Sequence, residues 1–116
     1  AGRVSSFINV AGRKVQPEEV ERILREMPGI ADVRVVGAAD PARGQQIVAC
    51  IVVRGDSPGL IGVRQFCAAR LAPYKIPRTI ITLERIPLTD RGKTDRQRLQ
   101  ELVLAHLREA PGAGVL

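Results

Sequence analysis

The sequence predicts an α+β fold: a small three-stranded main sheet plus a short N-terminal β-hairpin, covered by about three helices. Three observations predict it. Short apolar segments around residues 30–36, 46–53 and 79–83 alternate or run together as strands do. Apolar residues in three other segments recur at helical spacing, and clusters of Gly, Pro, Asp and Ser separate the two kinds. The order is two short strands, helix, two strands, helix, strand, helix, which lays helices over a small sheet.

Each element has a local cause. Phe7 to Val10 and Arg13 to Val15 flank Ala11-Gly12 and read as a small hairpin. Pro17 opens a helix at the first-turn position that proline favours, with Glu18, Glu19 and Glu21 near its positive end. Val20, Ile23, Leu24 and Met27 form its apolar stripe, and Pro28-Gly29 stops it. This glutamate cluster is explained by the helix and is not a candidate metal or acid–base site. Ile30 to Val36 alternates around Val33 and Val35, so one face of that strand is buried. Gly37 to Gly44 reads as a loop, and Gln46 to Val53 as a more fully buried strand. Arg54 to Gly59 supplies turn chemistry before a helix carrying Leu60, Val63, Phe66, Cys67 and Leu71. Two prolines in Ala72 to Pro77 end it, and Thr79 to Leu83 is the third strand of the main sheet. A last helix begins near Thr94 or Asp95, where Thr94 and Gln97 match a capping box, with Leu99, Leu102, Val103 and Leu107 as its apolar face. Residues 110–116 read as a frayed tail of one domain spanning 1–116.

Composition excludes several classes of function. At 116 residues the chain holds one modest core and is too small to enclose a large substrate. Its net charge of +6 is scattered among acids with no long basic run, and the three aromatics, Phe7, Phe66 and Tyr74, offer little surface for stacking bases. No nucleic-acid partner is expected; a nucleic-acid binder of this kind would show affinity falling steeply with salt. Cys50 and Cys67 sit in apolar company as small buried thiols, and His106 lies on the last helix at core spacing, so no metal site is expected. There is no signal peptide and no apolar run long enough to span a bilayer, which makes the cytoplasm the expected location.

The segment Pro87-Leu88-Thr89-Asp90-Arg91-Gly92-Lys93-Thr94-Asp95-Arg96 concentrates the chemistry, because it displays one lysine between a strand and a helix. Gly92-Lys93-Thr94 reproduces the end of a phosphate-binding loop, yet the position of that loop's first glycine is Pro87. A phosphate cradle needs consecutive free N–H groups, which proline interrupts, and Asp90 places a negative charge where a polyphosphate would sit. Gly92 therefore reads as the flexible residue that lets Lys93 protrude. The N-terminus of the last helix lies beside Lys93, and its partial positive charge is expected to reinforce an anion site there.

Motifs at both ends of the chain resemble one family. Gly2-Arg3 followed by Phe7-Ile8-Asn9-Val10-Ala11-Gly12-Arg13-Lys14-Val15-Gln16-Pro17-Glu18-Glu19-Val20-Glu21 resembles the start of the small C-terminal domain of adenylate-forming (AMP-binding) enzymes. That superfamily comprises acyl-CoA synthetases, luciferases and peptide-synthetase adenylation domains. Pro87 to Arg96 resembles the domain's closing motif. Val33 to Gly37, Asp40-Pro41, Gly44-Gln45 and Leu71 to Pro77 match between them, so the resemblance extends to about Leu99.

The resemblance implies an ATP-dependent acid:thiol ligase of the acyl-CoA synthetase type. A carboxylate attacks the α-phosphate of Mg-ATP, pyrophosphate leaves, and the acyl-adenylate then gives its acyl group to a pantetheine thiol. Lys93 matches the lysine that bridges carboxylate and α-phosphate, acting by charge and position and not by proton transfer. Arg3 matches a nucleotide-contacting arginine. Lys14 stands where many members carry an arginine near the phosphates, which keeps charge and loses the planar fork. Gly12 matches the glycine past which the pantetheine arm of CoA runs. Ser5 falls at the hinge about which members rotate this domain between half-reactions, where many carry Asp or Lys.

The implied ligands are ATP, CoA, a small carboxylic acid and Mg2+ held mainly by a preceding large N-terminal domain, without which this chain is expected to be inert. Phe7 to Gln16 looks closer to acyl-CoA synthetases, while Pro87 to Arg96 fits a peptide-synthetase adenylation domain nearly as well. A further reading is a free-standing interaction module that docks on a separate large subunit.

Overall fold

A computed structural model describes residues 7–109. Arg3, Ser5 and the expected tail 110–116 lie outside the described residues. The chain opens with β1 (Ile8–Val10) and β2 (Arg13–Val15), paired antiparallel from Ile8↔Val15 to Val10↔Arg13. Ala11 and Gly12 take φ of +52° and +84°, the pair of left-handed residues that a two-residue type I′ turn requires.

Helix α1 (Pro17–Arg25) follows with Pro17 in its first turn, Glu18 and Glu19 at its positive end and Arg22 and Arg25 at its negative end. Val20 and Leu24 are fully buried. Glu21 is only 7% exposed because its carboxylate accepts the backbone N–H of Val35 at 2.9 Å, with Arg25 at 3.6 Å. The cluster's one buried acid thus ties α1 to the sheet. Glu21→Ala leaves that N–H without a partner, and chemical denaturation is expected to show a loss of about 1–3 kcal/mol. An unchanged midpoint would contradict this role.

Strands β3 (Ile30–Asp40) and β4 (Gly44–Val53) form a long antiparallel hairpin. The loop expected from Gly37 to Gly44 is mostly strand: Gly37, Ala38 and Ala39 pair with Ile47, Gln46 and Gln45. Small residues are required there by packing. A Cβ on Gly37 would meet Ile8 Cγ2 at 3.0 Å and Gln45 Nε2 at 2.9 Å, so glycine here marks close approach and not a turn. The true turn is Pro41 to Arg43, closed by the Asp40 carboxylate, which accepts the N–H groups of Ala42 at 2.8 Å and Arg43 at 3.2 Å. The Ala42 hydrogen bond, with Arg43 in support, holds the Asp40 carboxyl below the usual range.

Helix α2 (Gly59–Ala68) crosses back to β5 (Thr79–Thr82), which pairs parallel with β4 from Val48↔Thr79 to Ile51↔Thr82. Parallel pairing needs such a crossover. A single 3-10 turn, Pro73–Lys75, lies between them. Helix α3 (Arg96–Glu109) closes the described chain.

The α+β class is as the sequence predicts, with three α-helices packed on a sheet among the described residues. The strand arrangement differs: hairpin and main strands form one five-stranded sheet, joined where Val10 pairs with Gly44. Strand β4 is the hub, and it sorts the core by alternation. Ile47, Ala49 and Ile51 join Val33, Val35, Val20, Leu24, Val63 and Cys67 on the α1/α2 face. Val48 and Cys50 join Val36, Ala38, Ile81, Leu99 and Val103 on the α3 face. The two cysteines are free and lie on opposite faces, and burial pushes the Cys50 thiol up to about 12, leaving it unreactive. Among the described residues no helix is long and apolar enough to cross a membrane.

Candidate functional site

The lysine loop is a self-contained turn. Leu88 and Thr94 face each other across an isolated antiparallel bridge. The Thr89 N–H donates to the Lys93 carbonyl at 2.7 Å, the Gly92 N–H to the Thr89 carbonyl at 2.9 Å, and the Asp95 N–H to the Pro87 carbonyl at 2.9 Å. The Thr89 hydroxyl accepts the N–H groups of Arg91 and Lys93, both at 3.3 Å. Gly92 supplies the turn with φ +82°. These backbone donors are spent inside the loop, so it has no phosphate cradle to offer, as Pro87 and Asp90 indicate. Asp90, Arg91 and Lys93 are exposed, and Lys93 Nζ has no hydrogen-bond or ion-pair partner among the described residues. A cation held on a fixed backbone with a free head can bridge two anionic groups brought to it.

The start of α3 differs from the capping expectation. Asp95, not Thr94, caps the helix: its Oδ1 accepts the Arg98 N–H at 3.0 Å while its carbonyl accepts the Leu99 N–H at 3.0 Å. Thr94 Oγ1 is engaged elsewhere, accepting Arg34 Nε at 2.7 Å. Because the Asp95 carboxylate already sits at the helix N-terminus, that end does not reinforce an anion site beside Lys93. The loop's positive charge comes from its side chains, the exposed Arg91 and Lys93.

Gly12 and Lys14 share the β1–β2 hairpin. The Gly12 N–H donates to Asn9 Oδ1 at 3.1 Å, and the neighbouring Ala11 N–H to the Arg43 carbonyl at 2.8 Å, which fixes the hairpin tip against the β3–β4 turn. A Cβ on Gly12 would meet nothing within 4 Å, so the space over this glycine is open. Lys14 is exposed, with Nζ 5.6 Å from the centre of the Phe7 ring.

Hairpin tip and lysine loop are not brought together. The loop is fastened to the sheet at Arg34 and the tip beside Asp40; the six residue steps of strand from Arg34 to Asp40 set these two attachment points about 20 Å apart.

A groove lined by basic residues, which no single stretch of sequence signals in full, lies beside the hairpin tip. Val10, Ala11, Arg43, Gln46, Arg64, Tyr74 and Arg78 are among its lining residues. Arg43 pairs with Asp40 at 3.5 Å, Arg64 donates to the Pro77 carbonyl at 2.7 Å, and Arg13 stacks on Tyr74 at 4.9 Å. Lys75 braces the segment by pairing with Glu19 at 2.9 Å. Arg43, Arg64 and Arg78, from three separate segments of the chain, line this one groove. The signal available in the sequence was the Leu71 to Pro77 motif, which carries Tyr74 and runs directly into Arg78.

A five-stranded α+β domain that displays a free lysine on one loop and an open glycine hairpin elsewhere has the form of the small domain of adenylate-forming enzymes. The family model described as AMP-binding enzyme C-terminal domain matches residues 19–93, and the chain belongs to that family. Among particular proteins, it is 40% identical over 106 residues to 4-chlorobenzoate–CoA ligase of a Pseudomonas strain, covering 90% of this chain and 20% of that one. Triostin synthetase I of Streptomyces triostinicus is 40% identical over 108 residues, covering 92% of this chain and 20% of the relative. The structure of a Mycobacterium tuberculosis fatty acyl CoA synthetase superimposes with a TM-score of 0.79 at 32% identity, over 86% of this chain and 20% of that one. The chain thus spans about 20% of the length of these relatives.

Proposed function

We propose that this chain is the C-terminal domain of an ATP-dependent acyl-CoA synthetase that converts a carboxylic acid to an acyl-adenylate and then to a CoA thioester. The observation that carries the reading is the separation just described. One loop presents Lys93 and a different edge presents Gly12, so one active centre uses them in turn by rotation of the domain. In the first orientation the Lys93 ammonium sits between the attacking carboxylate and the α-phosphate, offsetting charge as it builds. Its fixed backbone and free Nζ suit that role. In the second the pantetheine arm passes Gly12, where the absence of a side chain leaves room for close approach.

Lys14 and Arg3 are nucleotide-binding residues, and Ser5 is the hinge; the last two lie outside the described residues. The preceding large domain holds the acid and most of the ATP site, in keeping with the 20% share of the relatives that this chain covers. Mg2+ is held mainly by that large domain.

The acceptor is CoA in preference to a carrier-protein thiol, because Phe7 to Gln16 looks closer to acyl-CoA synthetases, and the arginine-lined groove beside Ala11 suits a phosphate-bearing ligand. The similarity to Triostin synthetase I supports the carrier-protein reading as the second choice. The test is to supply the intact enzyme with ATP and a panel of carboxylic acids and to follow pyrophosphate release and CoA thioester formation separately. Both are expected with at least one acid. Pyrophosphate release with no CoA thioester from any acid would favour the carrier-protein reading instead.

A further inference from the structure

We propose that Arg34 is a positioning residue for the adenylation lysine, acting through Thr94; the inference rests on the assignment of Lys93 to that half-reaction. Arg34 lies on β3 opposite Cys50, and strand alternation places it on the α3 face of the sheet. Its guanidinium is used on two sides. Nε donates to Thr94 Oγ1 at 2.7 Å, while Nη1 donates to Asp32 Oδ1 at 2.6 Å and to the Val33 carbonyl at 2.8 Å. The Arg34 side chain is only 21% exposed. Asp32 shares its face two residues earlier on the strand, and the same Oδ1 accepts the Val33 N–H at 2.9 Å. A planar fork held at one end by a carboxylate and a carbonyl has one remaining direction for Nε, and that direction leads to Thr94.

The consequence for Lys93 is positional. Thr94 is its chain neighbour and forms one side of the bridge that closes the loop, and Lys93's own backbone is tied to Thr89 on the other side. Without the Arg34 bond the loop keeps its internal hydrogen bonds but loses this side-chain anchor to the sheet. The lysine Cα then shifts relative to the domain that carries it into the active centre. Arg34 touches neither Lys93's head nor, on this account, the substrate, so its loss leaves nucleotide binding and the second half-reaction intact.

The experiment uses the intact enzyme with Arg34→Ala, Thr94→Val and their combination, alongside Lys93→Ala. Thr94→Val keeps size and branching at the bridge, so folding is preserved while the acceptor is removed. Each single variant is expected to slow adenylation about 10- to 100-fold, the scale of an approximately 1 Å misplacement. KM for ATP and the rate of thioester formation from supplied acyl-adenylate are expected to stay within about 2-fold, and the double variant to be no slower than the slower single one. Equal loss of both half-reactions, additive losses, or full adenylation in both variants while Lys93→Ala is inactive would each overturn the proposal. A Lys93→Ala enzyme with normal adenylation overturns the assignment of Lys93 itself, and the positioning role with it.

Discussion

Replacing Lys93 with alanine in the intact enzyme is expected to reduce acyl-adenylate formation by about 100- to 1,000-fold, the cost of removing one preorganised charge from a transition state. Thioester formation from supplied acyl-adenylate should remain within about 2-fold. The asymmetry follows from the loop. Lys93 Nζ has no partner among the described residues, so deleting it breaks no internal contact, and the loop hydrogen bonds run through the backbone and the Thr89 hydroxyl. A purely structural lysine would lower both rates together or neither. Pyrophosphate exchange for the first step and a single-turnover thioesterification assay for the second separate these outcomes.

The converse result is expected at Gly12. Gly12→Leu should slow thioester formation about 100-fold and leave adenylation within about 2-fold, since a branched side chain over the hairpin displaces the pantetheine arm by an ångström or more. Two effects must be told apart here. A Cβ at Gly12 meets nothing within 4 Å inside this domain, but φ of +84° strains leucine. Gly12→Asn distinguishes them, because asparagine tolerates the left-handed region while still adding bulk. If strain alone matters, Asn restores the rate; if bulk obstructs, Asn remains slow. Loss of adenylation with either substitution would contradict the assignment of Gly12 to the second half-reaction alone.

Much of this was legible in the sequence because it is written in local patterns. The stripe of Val20, Ile23 and Leu24, the alternation around Val33 and Val35 and the two-residue Ala11-Gly12 turn each report a period or a turn geometry that a few consecutive residues impose. The lysine loop was legible for the same reason. Pro87 and Asp90 exclude a phosphate cradle whatever surrounds them, and the structure spends the loop's backbone donors internally.

Where local signals misled, a distant contact had overridden them. Gly37 reads as a loop residue, yet it is strand, because Ile8 and Gln45 leave no room for a side chain. Thr94 fits a capping box, yet Arg34 claims its hydroxyl across the sheet and Asp95 caps instead. The basic groove drew Arg43, Arg64 and Arg78 from a turn, a helix and the bend before β5, and no short window of sequence contains all three.

The sequence by itself determined the secondary elements, the display of Lys93 and Gly12 and the family to which they point, since motif and periodicity survive without knowledge of neighbours. Only the tertiary structure decided which residues serve those two groups. In a sheet with side-chain period two, a register shift of one residue would turn Arg34 to the α1 face and away from Thr94. Register here is set by the burial of both faces of β3 and β4, a property of the assembled core that no single segment carries.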